Sequence, residues 1–183
     1  LQWWGGEGVR QLESYLEWLE ATQWEFVEYA DRPMIEMDVS NWLGDVYVKG
    51  FVDAVMTDGD QVMLVDYKTG SRTPAAMMQL GIYRVLLRET TGIDATHGVW
   101  WMTRKAEPSE PVQLGRYTHD YVRTIFETFD RAVEQQVFLP KEGSHCFTCD
   151  VRSACYIQGG VDAWKYDSHH PKFQGLRSQE PNK

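Results

Sequence analysis

Residues 51 to 70 read FVDAVMTDGDQVMLVDYKTG. Two runs rich in β-branched and apolar residues, one ending at Met56 and one from Val62 to Lys68, flank Thr57-Asp58-Gly59-Asp60, and an Asp-Gly pair between such runs is a strong hairpin signal. Centring the turn on Asp58-Gly59 predicts that Asp53 lies opposite Leu64. Side chains alternate along a strand, so Asp66 and Lys68 share the face of Leu64, and Asp53 lies diagonal to Asp66 within reach of a shared ion. Val62 to Val65 is apolar on both faces, which predicts a central strand. Charges at the end of such a strand are costly unless they are paired or used. The set is read either as a surface ion pair at a hairpin end or as a functional site.

Working outward, Met34 to Val39 supplies a preceding strand, and the run from Val46 to Met56 completes a three-stranded meander. Val9, Leu12, Leu16 and Leu19 recur at helical spacing among glutamates, which predicts an amphipathic helix over about 7 to 23. Thr73-Pro74 supplies a cap and a first-turn proline for a helix to about Glu89. Gly98 to Met102 reads as a buried strand. Thr118 opens a helix to about Val137, with Tyr121, Val122, Ile125, Phe126, Phe129 and Val133 on one side. The predicted order is α, three β, α, β, α, then a cysteine segment. No internal repeat or Gly/Ser-rich linker marks a second domain. The expected organisation is a single domain over 1–165 with a polar tail over 166–183. The first residue is Leu1, so a processed product or a fragment lacking an N-terminal region is expected.

The chain has 183 residues, 43% of them hydrophobic and 13% aromatic. That is enough for one core and excludes a disordered or collagen-like chain. Apolar runs fall far short of the ~20 residues of a membrane helix, and no leader opens the sequence, so no membrane partner is expected. The net charge of −9 is local. Residues 1–60 hold Arg10, Arg32 and Lys49 against thirteen acidic residues, and the remainder is nearly balanced. Such a balance neither requires nor forbids a nucleic acid.

Hard divalent ions such as Mg2+ or Mn2+ take few carboxylates plus waters and phosphate oxygens, so Asp53 and Asp66 suit metal-dependent phosphodiester hydrolysis. Lys68 beside them suits orientation of the water or charge stabilisation at phosphorus. The three cysteines, Cys146, Cys149 and Cys155, fall within ten residues. An odd, tight set without a leader points to metal ligation in a reducing, cytoplasmic compartment rather than to disulfides. His145 beside them leaves structural zinc open. His97 and His119 stand alone.

Gly50-Phe51-Val52-Asp53, then Asp66-Tyr67-Lys68-Thr69-Gly70, then Gln79-Leu80-Gly81-Ile82-Tyr83 resemble the successive motifs of PD-(D/E)xK nucleases of the RecB and AddB exonuclease type. The cysteine segment 145–156 is similar to the C-terminal half of the iron-sulfur site in AddB nuclease domains and CRISPR adaptation exonucleases. The resemblance spans about residues 34 to 156. It implies an α/β restriction-endonuclease-like core with a central mixed sheet flanked by helices. It also implies a DNA exonuclease acting on single-stranded ends in recombination, repair or processing, with a helicase or recombination partner. By the same resemblance Asp53 and Asp66 bind the catalytic metal with the Tyr67 carbonyl, and Lys68 assists the water. Gln79 and Tyr83, at i and i+4, meet the DNA strand. Arg72 and Arg84 are expected phosphate contacts. Cys146, Cys149 and Cys155 would hold a [4Fe-4S] cluster whose fourth ligand is absent from this chain.

The chain departs from the family pattern in two places. Ala54, Val55 and Met56 stand where relatives often carry Arg and Asp. Residues 1–35 hold neither the metal-binding His nor the first cluster Cys that the family usually places upstream, and Glu36 is the nearest acidic substitute. The second departure leaves room for a catalytically reduced DNA-binding or scaffolding subunit with the same fold.

Overall fold

The computed structural model describes residues 2–135, 137 and 141–155. The chain divides into two compact units, Leu1–Glu134 and Gln135–Lys183. The polar tail expected over 166–183 lies outside the described residues. No described helix is long and apolar enough to cross a membrane.

The first unit opens with α1 (Gln2–Ala21) and a run of short strands: β1 (Glu25–Phe26), β2 (Glu28–Tyr29), β3 (Arg32–Pro33) and β4 (Ile35–Asp38). A hairpin of β5 (Asn41–Leu43) and β6 (Val46–Val48) follows, then β7 (Phe51–Thr57) and β8 (Val62–Lys68). Helix α2 (Met78–Thr91) leads to β9 (His97–Met102), β10 (Glu107–Pro108) and β11 (Val112–Gln113), and α3 (His119–Glu134) closes the unit. The main sheet runs β1-β7-β8-β9-β10, with β4 also on β7 and β11 also on β9. β7 and β8 are antiparallel. β8 and β9 are parallel, which requires the crossover that α2 supplies. This is the mixed α/β sheet expected from the sequence.

Alternation along the central strands divides the core in two. Leu64, Trp100 and Met102 join Leu80, Leu86, Leu87 and Val122 on the side of α2 and α3. Met63, Val65, Val99 and Trp101 join Tyr15, Trp18 and Leu19 of α1 on the other. Helix α1 forms as predicted, but of the predicted stripe only Leu19 packs on the core. Val9, Leu12 and Leu16 are exposed, while the Trp18 ring lies 4.8 Å from Trp101 and the Tyr15 ring 5.4 Å from it. Aromatic rings remove more area from water than the aliphatic set, so they take the sheet side.

Two boundaries differ from expectation. The run Val46 to Met56 is not one strand: Lys49 and Gly50 separate β6 from β7, and β6 turns back onto β5. Helix α2 begins at Met78, so Thr73-Pro74 lies in the connection before it. Its other end is conventional, with Gly92 left-handed at φ 79 and its N–H donating to the Arg88 carbonyl. On α3, Thr118 caps as expected, its Oγ1 accepting the Tyr121 N–H at 3.2 Å. Of the predicted apolar side of α3, Val122 is buried, whereas Tyr121, Phe129 and Val133 are exposed.

Two glycines let α2 approach its neighbours closely. A Cβ on Gly50 would stand 2.7 Å from Leu86 Cδ1, and one on Gly81 would stand 2.2 to 2.5 Å from the Tyr117 ring. Tyr117 is buried and its carbonyl accepts from Arg84 Nη1, so it has little freedom to yield. Gly81→Ala is therefore expected to destabilise the fold by about 1–3 kcal/mol through overpacking. A thermal melt reads this directly, and an unchanged midpoint would refute the close packing of Tyr117 on α2.

Candidate active site

The site is built by the β7–β8 turn. Asp58 Oδ1 accepts the N–H groups of Asp60 and Gln61 at 3.0 and 2.8 Å. Thr57 Oγ1 donates to the Gln61 carbonyl at 2.8 Å and accepts the Gly59 N–H at 3.0 Å. These bonds make residues 58–61 the loop, and the first strand pair is Thr57 with Val62. Continued along the ladder from Ala54 with Val65, the register sets Asp53 opposite Asp66. The expected partner, Leu64, faces Val55 instead. The shift is two residues, so the predicted shared face survives it while a diagonal pair becomes a direct one.

Asp66 is the one buried charged residue among those described, at 2% exposure. Its Oδ2 is paired with the Lys68 ammonium, 2.5 Å away. Burial pushes the Asp66 carboxyl above its ordinary range, Lys68 opposes the shift, and the charge of Asp53 adds to it. Asp53 Oδ2 accepts the Tyr67 N–H at 2.7 Å, which fixes that carboxylate against the neighbouring strand. Lys68 Nζ also donates to Gln79 Oε1 at 3.1 Å, and Gln79 Nε2 donates to the Tyr83 hydroxyl at 3.1 Å. The structure thus links Asp66, Lys68, Gln79 and Tyr83 in one bonded series, with Asp53 opposite Asp66 and held by the Tyr67 N–H.

Tyr67 contributes its main chain to this series, while its ring turns to the other face of the sheet. There its hydroxyl meets that of Tyr15, and the rings are edge to face at 5.3 Å. Burial and the Tyr15 hydroxyl push the Tyr67 phenol far above its ordinary value.

The remaining expected residues are not gathered. Arg84 makes a bidentate pair with Asp94, at 2.7 and 2.9 Å, and its Nη1 donates to the carbonyls of Leu114 and Tyr117. Its guanidinium ties α2 to the segment before α3, so it is committed to the fold rather than offered to a phosphate. Arg72 is exposed in the connection between β8 and α2. Glu36 falls opposite Asp53 by the β4–β7 register, yet it is exposed and left-handed at φ 50. Among the described residues no group of three or more His, Cys, Asp or Glu is assembled as a metal site. The sequence reading missed Thr103, whose N–H and Oγ1 both reach the Lys68 carbonyl, at 3.0 and 3.3 Å. Nothing in its local sequence marks it; the contact follows from the parallel β8–β9 register.

The donor set fits a hard divalent ion. Two carboxylates are placed opposite one another on adjacent strands, one of them buried with a single ammonium as its partner. A mixed sheet carrying Asp at the end of one central strand and Asp-Tyr-Lys at the end of the next defines a nuclease-type core. The sequence matches the PD-(D/E)XK nuclease superfamily over residues 1–156, and the chain belongs to that family. It is 28% identical over 157 residues to the Gene 69 protein of Mycobacterium phage D29, covering 82% of this chain and 58% of that protein. It is 30% identical over 132 residues to the Gene 69 protein of Mycobacterium phage L5, covering 69% of this chain and 45% of that protein. The chain thus spans about half the length of these relatives.

In the second unit, single 3-10 turns span Ser144–Thr148 and Arg152–Ala154. Cys146, Cys149 and Cys155 are free thiols of intermediate exposure. His145 Nε2 lies 2.8 Å from the Lys141 carbonyl. Among the described residues these thiols and His145 are not gathered as a metal site.

The raised pKa of Asp66 has a stability consequence. A carboxyl whose pKa is higher folded than unfolded favours the fold fully below its unfolded value. That contribution is lost as pH rises through the folded value. In metal-free buffer, Asp66→Asn is therefore expected to melt above the parent at pH 8, with the advantage shrinking toward pH 4. An Asn variant less stable than the parent at both pH values would contradict the buried-charge account.

Proposed function

We propose that the chain is a DNA nuclease dependent on Mg2+ or Mn2+, working as an exonuclease on single-stranded ends. The observation that carries the reading is Lys68, held between Asp66 Oδ2 and Gln79 Oε1 at the end of the strand that faces Asp53. Asp53 and Asp66 would hold the ion, which supplies Lewis acidity toward the phosphate and activation of water. The Tyr67 N–H fixes Asp53, and burial fixes Asp66, so neither carboxylate has to be ordered on binding. The Lys68 ammonium stands where it can orient the attacking water or meet a non-bridging phosphate oxygen. Gln79 holds Lys68 from the α2 side and is itself oriented by Tyr83. The exonuclease assignment rests on the resemblance of Asp66-Tyr67-Lys68-Thr69-Gly70 and Gln79 to Tyr83 to RecB- and AddB-type motifs.

A second reading, a DNA-binding subunit that keeps the fold without turnover, draws on the ligand count, since the described residues gather no third acidic or His ligand. The two readings separate on labelled single-stranded DNA with Mg2+ or Mn2+. The nuclease reading expects digestion by the parent and, because a charge-stabilising donor is removed, a loss of about 100-fold or more in Lys68→Ala. Far-UV circular dichroism should stay unchanged, because Lys68 lies at the rim of the core. Parent-level cutting by Lys68→Ala would remove Lys68 from the reaction. Binding without cutting by the parent would leave the second reading standing.

Gln79→Ala is expected to lower the same rate less than Lys68→Ala does, because it frees the ammonium without removing it. Gln79→Glu should keep the acceptor and recover most of the parental rate. Equal loss in the Ala and Glu variants would show that Gln79 acts other than by accepting from Lys68.

A further inference from the structure

The β5–β6 hairpin carries two large aromatic side chains on its outer face. Trp42 and Tyr47 form a cross-strand pair, their ring centroids 5.3 Å apart, and they are 61% and 48% exposed. Solvent-facing Trp and Tyr side by side are an expensive use of surface unless something covers them. The hairpin is no loose flap. Leu43 and Val48 on its inner face are buried in the core. Asn41 Nδ2 donates to Thr90 Oγ1 on α2 at 3.2 Å, and Thr90 Oγ1 in turn donates to the Val39 carbonyl. The rings therefore stand on a fixed base.

Tyr47 also lines a groove of about 460 Å3 that reaches Gln79 and Tyr83, over a floor that includes Ile82 and Phe126. Gln79 and Tyr83 are the α2 end of the bonded series that begins at Asp66. The groove is thus continuous with the candidate active site. Among the described residues Lys49 is the only charged one lining it, and none of them brings a carboxylate that would repel a phosphate.

We infer that Trp42 and Tyr47 form a base-stacking platform for single-stranded DNA, leading along this groove to Asp53, Asp66 and Lys68. The inference rests on the nuclease reading above and deepens it by naming where the substrate's bases lie. Every base has a π face, so an exposed Trp-Tyr pair holds a strand without regard to sequence. A duplex keeps its bases stacked on one another and offers no such face. Stacking also supplies what the charge balance cannot. In a chain of net charge −9, a platform of rings beside one lysine binds a strand with little help from a basic field.

The test measures binding without metal, so that it does not depend on cutting. Fluorescence anisotropy of the full chain would compare a labelled twelve-nucleotide oligo-dT with an abasic strand of the same length. The parent should prefer oligo-dT. Trp42→Ala combined with Tyr47→Ala should weaken oligo-dT binding about tenfold or more and change abasic binding far less. Trp42→Phe should retain most of the affinity. Trp42→Leu, which keeps apolar area without a π face, should lose it, and both single variants keep the hairpin filled if the double variant folds poorly. Equal affinity of the parent for the two strands, or equal losses on both, would overturn the platform. So would a parent that self-associates through Trp42, seen as a change in sedimentation in Trp42→Leu without DNA. Failure of the nuclease reading shows separately, as absence of cutting in Mg2+ and Mn2+ by a chain that still distinguishes the two strands.

Discussion

A carboxylate withdrawn from water at the end of β8 is the constraint around which the first unit is organised. Asp66 is almost wholly buried, and a buried carboxylate persists only where its environment compensates it. Here the compensation is one ammonium two residues along the same strand. Asp53 across the ladder works in the opposite direction and raises the cost of ionisation. The fold thus holds two like charges side by side and supplies a single cation between Asp66 and the α2 face. A site so arranged can accept a further positive charge, which is the physical basis for proposing a divalent ion there.

The rest of the architecture serves to keep that arrangement in register. The β7–β8 turn fixes which residues oppose, through the Asp58 and Thr57 bonds. The parallel β8–β9 pair requires a crossover, and the crossover helix brings Gln79 and Tyr83 to the ammonium. Glycines at positions 50 and 81 allow α2 to lie close to its neighbours. Arg84 anchors the helix through Asp94 and two main-chain carbonyls.

Much of this was legible in the sequence because it depended on local chemistry. The Asp-Gly turn, the apolar run before Asp66 and the order of helices and strands are all short-range signals. The facing of Asp53 and Asp66 survived an error in the register because the turn is longer by two residues, and only an odd slip reverses a face. What sequence could not supply was the outcome of competition at longer range. The helix at the N-terminus offered two apolar stripes, and the choice of Tyr15 and Trp18 over Leu12 and Leu16 depends on Trp101, eighty residues later. Arg84 carries no mark that separates a phosphate contact from an anchor; its role follows from the position of Asp94. The β5–β6 hairpin was hidden because Val46 to Met56 is continuously β-prone, and its break at Lys49-Gly50 is set by the tertiary closeness of Gly50 to Leu86.

The two tyrosine hydroxyls under α1 give this architecture a mechanical property. Tyr67 stands between Asp66 and Lys68 in the chain, with its ring on the opposite face of the sheet and in contact with Tyr15. The same residue's N–H holds Asp53. One peptide unit is therefore a lever with the helix on one arm and the acidic pair on the other. Tyr15 thereby ties α1 to the strand that carries Asp66 and Lys68. The N-terminal helix is, in this sense, a part of the frame on which the acidic pair is mounted.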